Sequence, residues 1–288
     1  MMLKYYHRLR HDYLKRLRAE GVDISDKSVS LMSAWMCVCT VLVIPRPDNA
    51  CGIGMKDAYV TATQFTVLYI HIDNYLDSTD VSRADKALFA GWLIDPHGDE
   101  GMGFKSSLLS VREKLIERHA DACTWLQELA VNTVTSASIQ YANSSGRTLK
   151  KTCLDKGGLT LLTIYKLIYG PDTGEDRNIQ QVGSCIQLFD DIVDCSDDIQ
   201  HGIRTYCTHV LQRDTTLDKC AKCLIKLLCE IDFKYKLIVS GIYLALRFCI
   251  RKSRNFSTEF RVNMKLPPYT VKSTSFLASA EREFRKAL

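Results

Sequence analysis

Long stretches with apolar residues at helical spacing dominate this chain, and short polar breaks separate them. Hairpin dipeptides such as Asn-Gly and Asp-Gly are missing, and Pro occurs only six times, so the sequence offers few strand signals. The breaks fall at residues 45–54, 95–103, 143–147, 170–178 and 266–268. The pattern predicts helices over roughly 55–78, 80–94, 105–142, 148–169, 178–200 and 214–250, with a further helix near 274–287. No break resembles a linker, so we expect one all-α domain spanning residues 1–288.

Two of the predicted helices are apolar on every side and then end in acids. One contains QFTVLYIHIDNYLD (residues 64–77), and the other is IQQVGSCIQLFDDIVD (residues 179–194). No charged residue occurs between Gln64 and His71 or between Ile179 and Phe189. A helix that is apolar all round is typical of the interior of a helical assembly. We therefore expect both helices inside the bundle, each with an acidic end.

The acids of each segment recur at helical spacing. In the first segment, the acids that share one face of the helix are Asp73, Asp77 and Asp80. In the second segment, the residues on one face are Gln187, Asp190, Asp194, Asp197 and Asp198, and Asp191 lies somewhat outside that face. Like charges at this spacing destabilise a helix, and acids are unfavourable at its C-terminal end. Two such faces opposite each other suit Mg²⁺, a hard cation that shares its ligands with phosphates. The alternative is that both clusters are solvated helix ends.

Composition and charge bear on the partners, the cellular setting and the kind of metal site that this chain is expected to have. The net charge of +5 is mild and its one dense basic cluster is residues 7–18, so we expect no nucleic-acid partner. The twelve Cys are irregularly spaced and follow no apolar signal region, which indicates a cytoplasmic setting with Cys as small core residues. Cys220 and Cys223 form a CxxC pair without the partners of a zinc site. The longest apolar run, residues 31–45, is shorter than the roughly 20 residues of a membrane span, so no transmembrane segment is expected.

Both acidic segments resemble motifs of the class I isoprenoid synthases. The run Gln187-Leu-x-Asp190-x-x-x-Asp194-x-x-x-Asp198-x-x-x-Gly202 is similar to the second motif of squalene and phytoene synthases. The run Asp73-Asn-Tyr-Leu-Asp77-x-x-Asp80 resembles the first Asp-rich motif of the family, including its form in bacterial large terpene synthases. Residues 155–170, DKGGLTLLTIYKLIYG, resemble the family's helix with a diphosphate-contacting Lys and a Gly-permitted kink, although KGG is equally typical of a helix start or turn.

The resemblance implies a helical bundle in which three Mg²⁺ ions bridge the acids to a prenyl diphosphate. By resemblance, the metal ligands are Asp73, Asp77, Asp80, Asp190, Asp194 and Asp198, of which Asp73, Asp77 and Asp194 are essential for catalysis. The residues expected to contact the substrate are Lys156, Gln187, Arg204 and Tyr206, the last two standing one place later than in the family. Aromatic faces stabilise cations, and the candidates for an apolar pocket are Phe65, Tyr69, Tyr165, Tyr169 and Phe189, with core packing as the alternative for each. Dimers are common in the family, so a homodimer is one assembly that the resemblance implies.

Three departures from the family bear on the reaction. No Arg precedes the first motif in VLYIHID, no segment matches the basic GKRxRP-like stretch of chain-elongating synthases, and the NSE-type second motif is absent. These departures favour one diphosphate in the site, and hence a terpene synthase that cyclises or eliminates. A prenyltransferase that joins prenyl units remains open. So does a non-catalytic helical binding or scaffold protein of the same fold.

Overall fold

The computed structural model describes residues 54–77, 81–94, 106–171 and 174–263, together with His11, Lys15 and Ala19, which are helical. Helices account for 82% of these residues and no strand occurs among them, which confirms the all-α class. The apolar run 31–45 and the helix predicted near 274–287 lie outside the described residues, and so does Asp80.

The described part of the chain is a succession of helices joined by short turns. They are α1 (Met55–Asp77), α2 (Arg83–Ile94), α3 (Ser106–Ile116), α4 (Ala122–Tyr141), α5 (Gly146–Tyr169), α6 (Asp176–Val193), α7 (Cys195–Gln200), α8 (Tyr206–Asp214), α9 (Asp218–Cys229), a 3₁₀ turn (Phe233–Tyr235), α10 (Lys236–Lys252) and α11 (Thr258–Asn263). Helix α5 packs against α1, α4, α6 and α8, so it occupies the centre of this arrangement. Within the described ranges, no helix is both long and apolar enough to span a bilayer.

Three helices predicted as continuous are interrupted in the structure. The predicted helix 105–142 is broken at 117–121, the helix 178–200 at Asp194, and the helix 214–250 at 230–235. The first break contains neither Gly nor Pro, and His119 Nε2 lies 3.2 Å from the carbonyl oxygen of Leu167 on α5. A contact between residues so distant in sequence has no local signal, so hydrophobic spacing alone did not predict this turn.

Helix α1 is buried on all sides over its middle turns, as predicted. Every residue from 61 to 68 is buried, and the hydroxyl groups of Thr61, Thr63 and Thr66 donate to carbonyl oxygens four residues earlier, at 2.7–2.9 Å. The same prediction is wrong for α6. That helix buries one face, which includes Val182 and Leu188, and exposes Gln180.

Helices α5 and α6 touch backbone to backbone through glycines. A Cβ atom on Gly157 would lie 2.5 Å from the carbonyl oxygen of Gly183, and a Cβ atom on Gly183 would lie 2.3 Å from that of Gly157. The Ser184 hydroxyl donates to the Leu154 carbonyl oxygen across the same contact, at 2.7 Å. Since α5 begins at Gly146, the KGG sequence is in mid-helix, and its interpretation as a helix start or turn is wrong. Its glycines permit close helix packing.

Replacing Gly183 with Ala should destabilise the fold. The added methyl group would collide with Gly157 and with Leu161 Cβ, 2.8 Å away, and overpacking of this kind costs roughly 1–3 kcal/mol or more. Gly241→Ala in α10 is the matched control, because no atom lies within 4 Å of its added Cβ and Ala favours helix by up to about 1 kcal/mol. Urea denaturation should show a lower midpoint for Gly183→Ala and an equal or higher one for Gly241→Ala. Equal midpoints for Gly183→Ala and the unmodified chain would contradict the close contact.

Candidate functional site

An ion pair joins the acidic end of α1 to the middle of α5. The Lys156 Nζ atom lies 2.6 Å from Asp73 Oδ1, and the Lys156 side chain is only 9% exposed. Lys156 directly precedes Gly157, so the glycine contact with α6 fixes the backbone from which this lysine extends. The first acidic segment and the predicted diphosphate-contacting lysine therefore meet inside the bundle.

The acids of α6 belong to the same electrostatic group. Burial, together with the carboxylates of Asp194 and Asp191, raises the pKa of Asp190 to about 8. The ammonium of Lys156 opposes the rise, and the carboxylate of Asp73 adds to it. Asp190 thus lies within electrostatic reach of both α1 and α5. The two acidic segments, predicted to face each other, are close enough to interact around Lys156.

Asp191 is buried, and its carboxylate contacts Gln187 on the same helix. Burial raises the pKa of its carboxyl group, while hydrogen bonds from Gln187 and Cys153 lower it. The Gln187 side-chain nitrogen donates to Asp191 Oδ1 at 3.1 Å. Gln187, predicted to contact substrate, therefore has its amide on Asp191. Their spacing of four residues within one helix was the sequence signal for this pair.

Asp194 marks the end of α6 and the start of α7. Its backbone nitrogen donates to the Asp190 carbonyl oxygen at 2.9 Å, and its own carbonyl oxygen accepts from the Asp198 nitrogen at 2.9 Å. Although Asp194 is exposed as a residue, desolvation of its carboxyl group raises the pKa, and Asp197 raises it further. The helix break separates Asp198 from the α6 row, and the charge of Asp198 acts on Cys195.

The first acidic segment contributes Asp73 to the described site. Asp77 is the last residue of α1, one turn after Asp73, but its side chain lies outside the described part of the structure, as does the whole of Asp80. The metal-ligand predictions for Asp77 and Asp80 therefore stay predictions.

Arg204 and Tyr206, at the start of α8, lie beside the beginning of α5 in space. Arg204 Nη1 donates to the Ala142 carbonyl oxygen at 2.7 Å and to Asn143 Oδ1 at 3.2 Å, so its guanidinium holds the turn between α4 and α5. The ring of Tyr206 is buried, and Lys150 Nζ lies 6.0 Å from its centroid. Six residues of helix, about 9 Å, separate Lys150 from Lys156. The contacts of Arg204 and Tyr206 are thus with the turn at 142–144 and with the first turns of α5.

The described side chains do not form a complete metal-binding site. Across the described ranges, no three His, Cys, Asp or Glu side chains are arranged to hold a metal ion. Five cysteines are buried, namely Cys153, Cys185, Cys195, Cys207 and Cys220. Burial raises the thiol pKa of Cys185 and Cys195 to about 12, which suits core packing and not metal binding.

A small apolar cavity lies along α1 on the N-terminal side of Asp73. Its volume is about 20 Å³, and Phe65, Tyr69 and Ile72 of α1 line it together with Leu126 and Leu129 of α4. That volume accommodates about one water molecule, whereas ligand pockets usually reach 300–1,000 Å³ or so. Of the predicted pocket aromatics, Phe65 and Tyr69 line this cavity. A groove of about 770 Å³ between α4 and α5 is larger, but its lining includes none of the site acids.

The raised pKa of Asp190 predicts how stability depends on pH without metal. An unfolded Asp ionises near pH 4, whereas folded Asp190 ionises near pH 8, so proton release from the unfolded chain destabilises the fold between these values. In EDTA, Asp190→Asn should remove at least about 1 kcal/mol of the stability lost from pH 5 to pH 8. Chemical denaturation at both pH values measures this difference. Asp197→Asn, an exposed neighbour, is the control, and identical pH dependence in all three proteins would refute the assignment.

The Arg204 contacts predict a structural and not a substrate-binding role. Arg204→Ala removes hydrogen bonds to the turn at 142–144 and should lower the free energy of unfolding by roughly 1–2 kcal/mol. Affinity for Mg²⁺ and pyrophosphate, measured by calorimetry, should remain unchanged. Arg213→Ala, an exposed position on α8, serves as the control for stability. A large loss of pyrophosphate affinity in Arg204→Ala with unchanged stability would assign the residue to the ligand instead.

Comparison with protein-family models, curated proteins and solved structures gave no match. A function for this chain therefore has to be inferred from the acids of α1 and α6, from Lys156 between them, and from the resemblance of the two acidic segments.

Proposed function

We propose that this chain is a Mg²⁺-dependent class I terpene synthase, which ionises one prenyl diphosphate and converts the resulting cation to a terpene. The observation that carries the proposal is that Asp73 from α1 and Asp190 from α6 both interact with Lys156, while the charge of Asp194 acts on Asp190. The resemblance by itself assigns these acids to two motifs and does not show that the motifs meet in space. Their convergence on one buried lysine supports a common ligand.

The charge balance of this group supports a cationic ligand. Within the described residues, Lys156 is the cation that acts on Asp73, Asp190 and Asp191 together, while Asp194 adds further negative charge. Buried carboxylates need a cation or must take up protons, and the raised pKa of Asp190 expresses that need. Mg²⁺ would supply this cation, with Asp73 and Asp190 contributing carboxylates from the two helices and phosphate oxygens completing its coordination.

Each part of the site has a role in the proposed reaction. Asp73, Asp190 and Asp194 would hold the metal, with Asp77, Asp80 and Asp198 as the further ligands that the resemblance implies. Bound Mg²⁺ would stabilise the charge that develops on the diphosphate as the carbon–oxygen bond breaks. The Lys156 ammonium would supply a fixed positive charge to the same leaving group. Phe65 and Tyr69, on the apolar side of Asp73, would face the allyl cation and exclude water.

A second candidate is a non-catalytic binding or scaffold protein of the same class. The observation that favours it is the cavity beside Asp73, whose 20 Å³ or so leaves no room for a prenyl chain without movement of α1 or α4. The unneutralised acids favour catalysis, because a purely structural bundle gains nothing from them. A prenyltransferase would use the same acids with a second prenyl group.

Incubation with Mg²⁺ and prenyl diphosphates of increasing length separates the three functions. Release of pyrophosphate together with a hydrocarbon or alcohol is the result that we expect, because the site has the features for one diphosphate. A longer prenyl diphosphate, or a product made of two joined prenyl units, would identify a prenyltransferase. No pyrophosphate from any substrate would refute both enzymatic functions.

The acids of both helices should be essential for turnover. Asp73→Ala and Asp194→Ala should each lower kcat by roughly 100-fold or more, since each removes charge that stabilises the leaving group. Asp155→Ala is the matched control, because Asp155 is adjacent to Lys156 in sequence but forms an ion pair with Lys151 on the outer side of α5. Normal turnover in both Asp73→Ala and Asp194→Ala would show that the metal assignment is wrong.

A further inference from the structure

In the ligand-free protein, Asp73 is already paired with a cation, the ammonium group of Lys156. The carboxylate oxygen Oδ1 of Asp73 lies 2.6 Å from Lys156 Nζ, and apart from this ion pair the oxygen has no hydrogen-bond partner among the described residues. A buried ammonium group needs a counter-ion, and Asp73 supplies it. In the ligand-free protein, the lysine therefore occupies the position where a cation would bind.

A metal ion cannot be added to this arrangement without displacing the lysine. Mg²⁺ binds carboxylate oxygens at about 2.0–2.1 Å, so a metal on Asp73 Oδ1 and the Lys156 ammonium would lie within about 5 Å of each other. Two cations at that distance in a partly buried site repel strongly. Binding of Mg²⁺ to Asp73 therefore requires that Lys156 moves to another anion.

We propose that Lys156 is an exchangeable internal counter-ion, which pairs with Asp73 in the ligand-free protein and transfers to the diphosphate when Mg²⁺ takes its place. This inference rests on the proposed function, because it requires that Asp73 binds metal. In this exchange Mg²⁺ replaces the lysine on Asp73, and the lysine then pairs with the diphosphate. It makes Lys156 a positioning residue in the ligand-free state and a substrate contact in the complex.

The structure fixes the backbone of Lys156 but leaves its ammonium able to move. Gly157 and Gly158 hold this turn of α5 against α6, and the Thr160 hydroxyl donates to the Lys156 carbonyl oxygen at 2.7 Å. The side chain has a flexible four-carbon stem, so its head can reach a different anion without movement of the helix. The Asp73 side chain as a whole is 29% exposed, although its Oδ1 atom is buried against Lys156.

Lysine acetylation read out by peptide mass spectrometry tests this exchange on the full chain. The matched control is Lys151 on the same helix, whose side chain is 78% exposed and pairs with Asp155. In EDTA, Lys156 should react far more slowly than Lys151. Saturating Mg²⁺ alone should raise the reactivity of Lys156 several-fold, and Mg²⁺ with inorganic pyrophosphate should protect it again. The reactivity of Lys151 should stay constant throughout.

The variant Asp73→Asn tests the ion pair without any metal. Asp73→Asn removes the charge but preserves the shape of the side chain, so it should make Lys156 reactive already in EDTA, with no further rise on addition of Mg²⁺. If calorimetry detects Mg²⁺ and pyrophosphate binding but Lys156 reactivity does not respond to Mg²⁺, the exchange is wrong and the proposed function stands. If neither ligand binds, the proposed function fails and the exchange fails with it. Unchanged Lys156 protection in folded Asp73→Asn also overturns the exchange.

Discussion

The backbone contact between Gly157 and Gly183 determines where the charged groups of this protein lie. Without side chains at these two positions, α5 and α6 approach until an added Cβ atom would lie 2.3–2.5 Å from the opposite carbonyl oxygen. Lys156 is the residue before this contact on α5, and Gln187 is one turn after it on α6. The contact thus places the lysine beside the start of the acidic row, and packing of α1 on α5 adds Asp73.

This geometry creates a site that is unfavourable for the fold on its own. Three acids of α6 have raised pKa values, chiefly because their carboxyl groups are desolvated, and only Lys156 lowers the pKa of Asp190. Proteins commonly accept such local conflicts where a ligand later resolves them. The proposed function would explain both the conflict and its partial relief by Lys156: a metal-bound anion would neutralise the acids, and the lysine does so in part in the ligand-free chain.

Local patterns predicted much of the fold, because burial and helix spacing are properties of neighbouring residues. The bounds of α1 and the burial of its middle turns followed from sequence. Arg204 shows where this reasoning fails, since its partners lie about 60 residues away and no spacing rule could assign them. Gln187 illustrates another limit, because a motif position does not reveal that its amide binds Asp191.

The central claim is that α1 and α6 bind one ligand together through Asp73, Asp190 and Asp194. A crystal structure with Mn²⁺ in place of Mg²⁺ and with inorganic pyrophosphate tests it most directly, because the anomalous signal of Mn²⁺ locates each ion. We predict anomalous peaks between Asp73 and the two α6 acids, with the pyrophosphate beside Lys156. Mn²⁺ bound only elsewhere on the protein, with Lys156 still paired to Asp73, would contradict the claim.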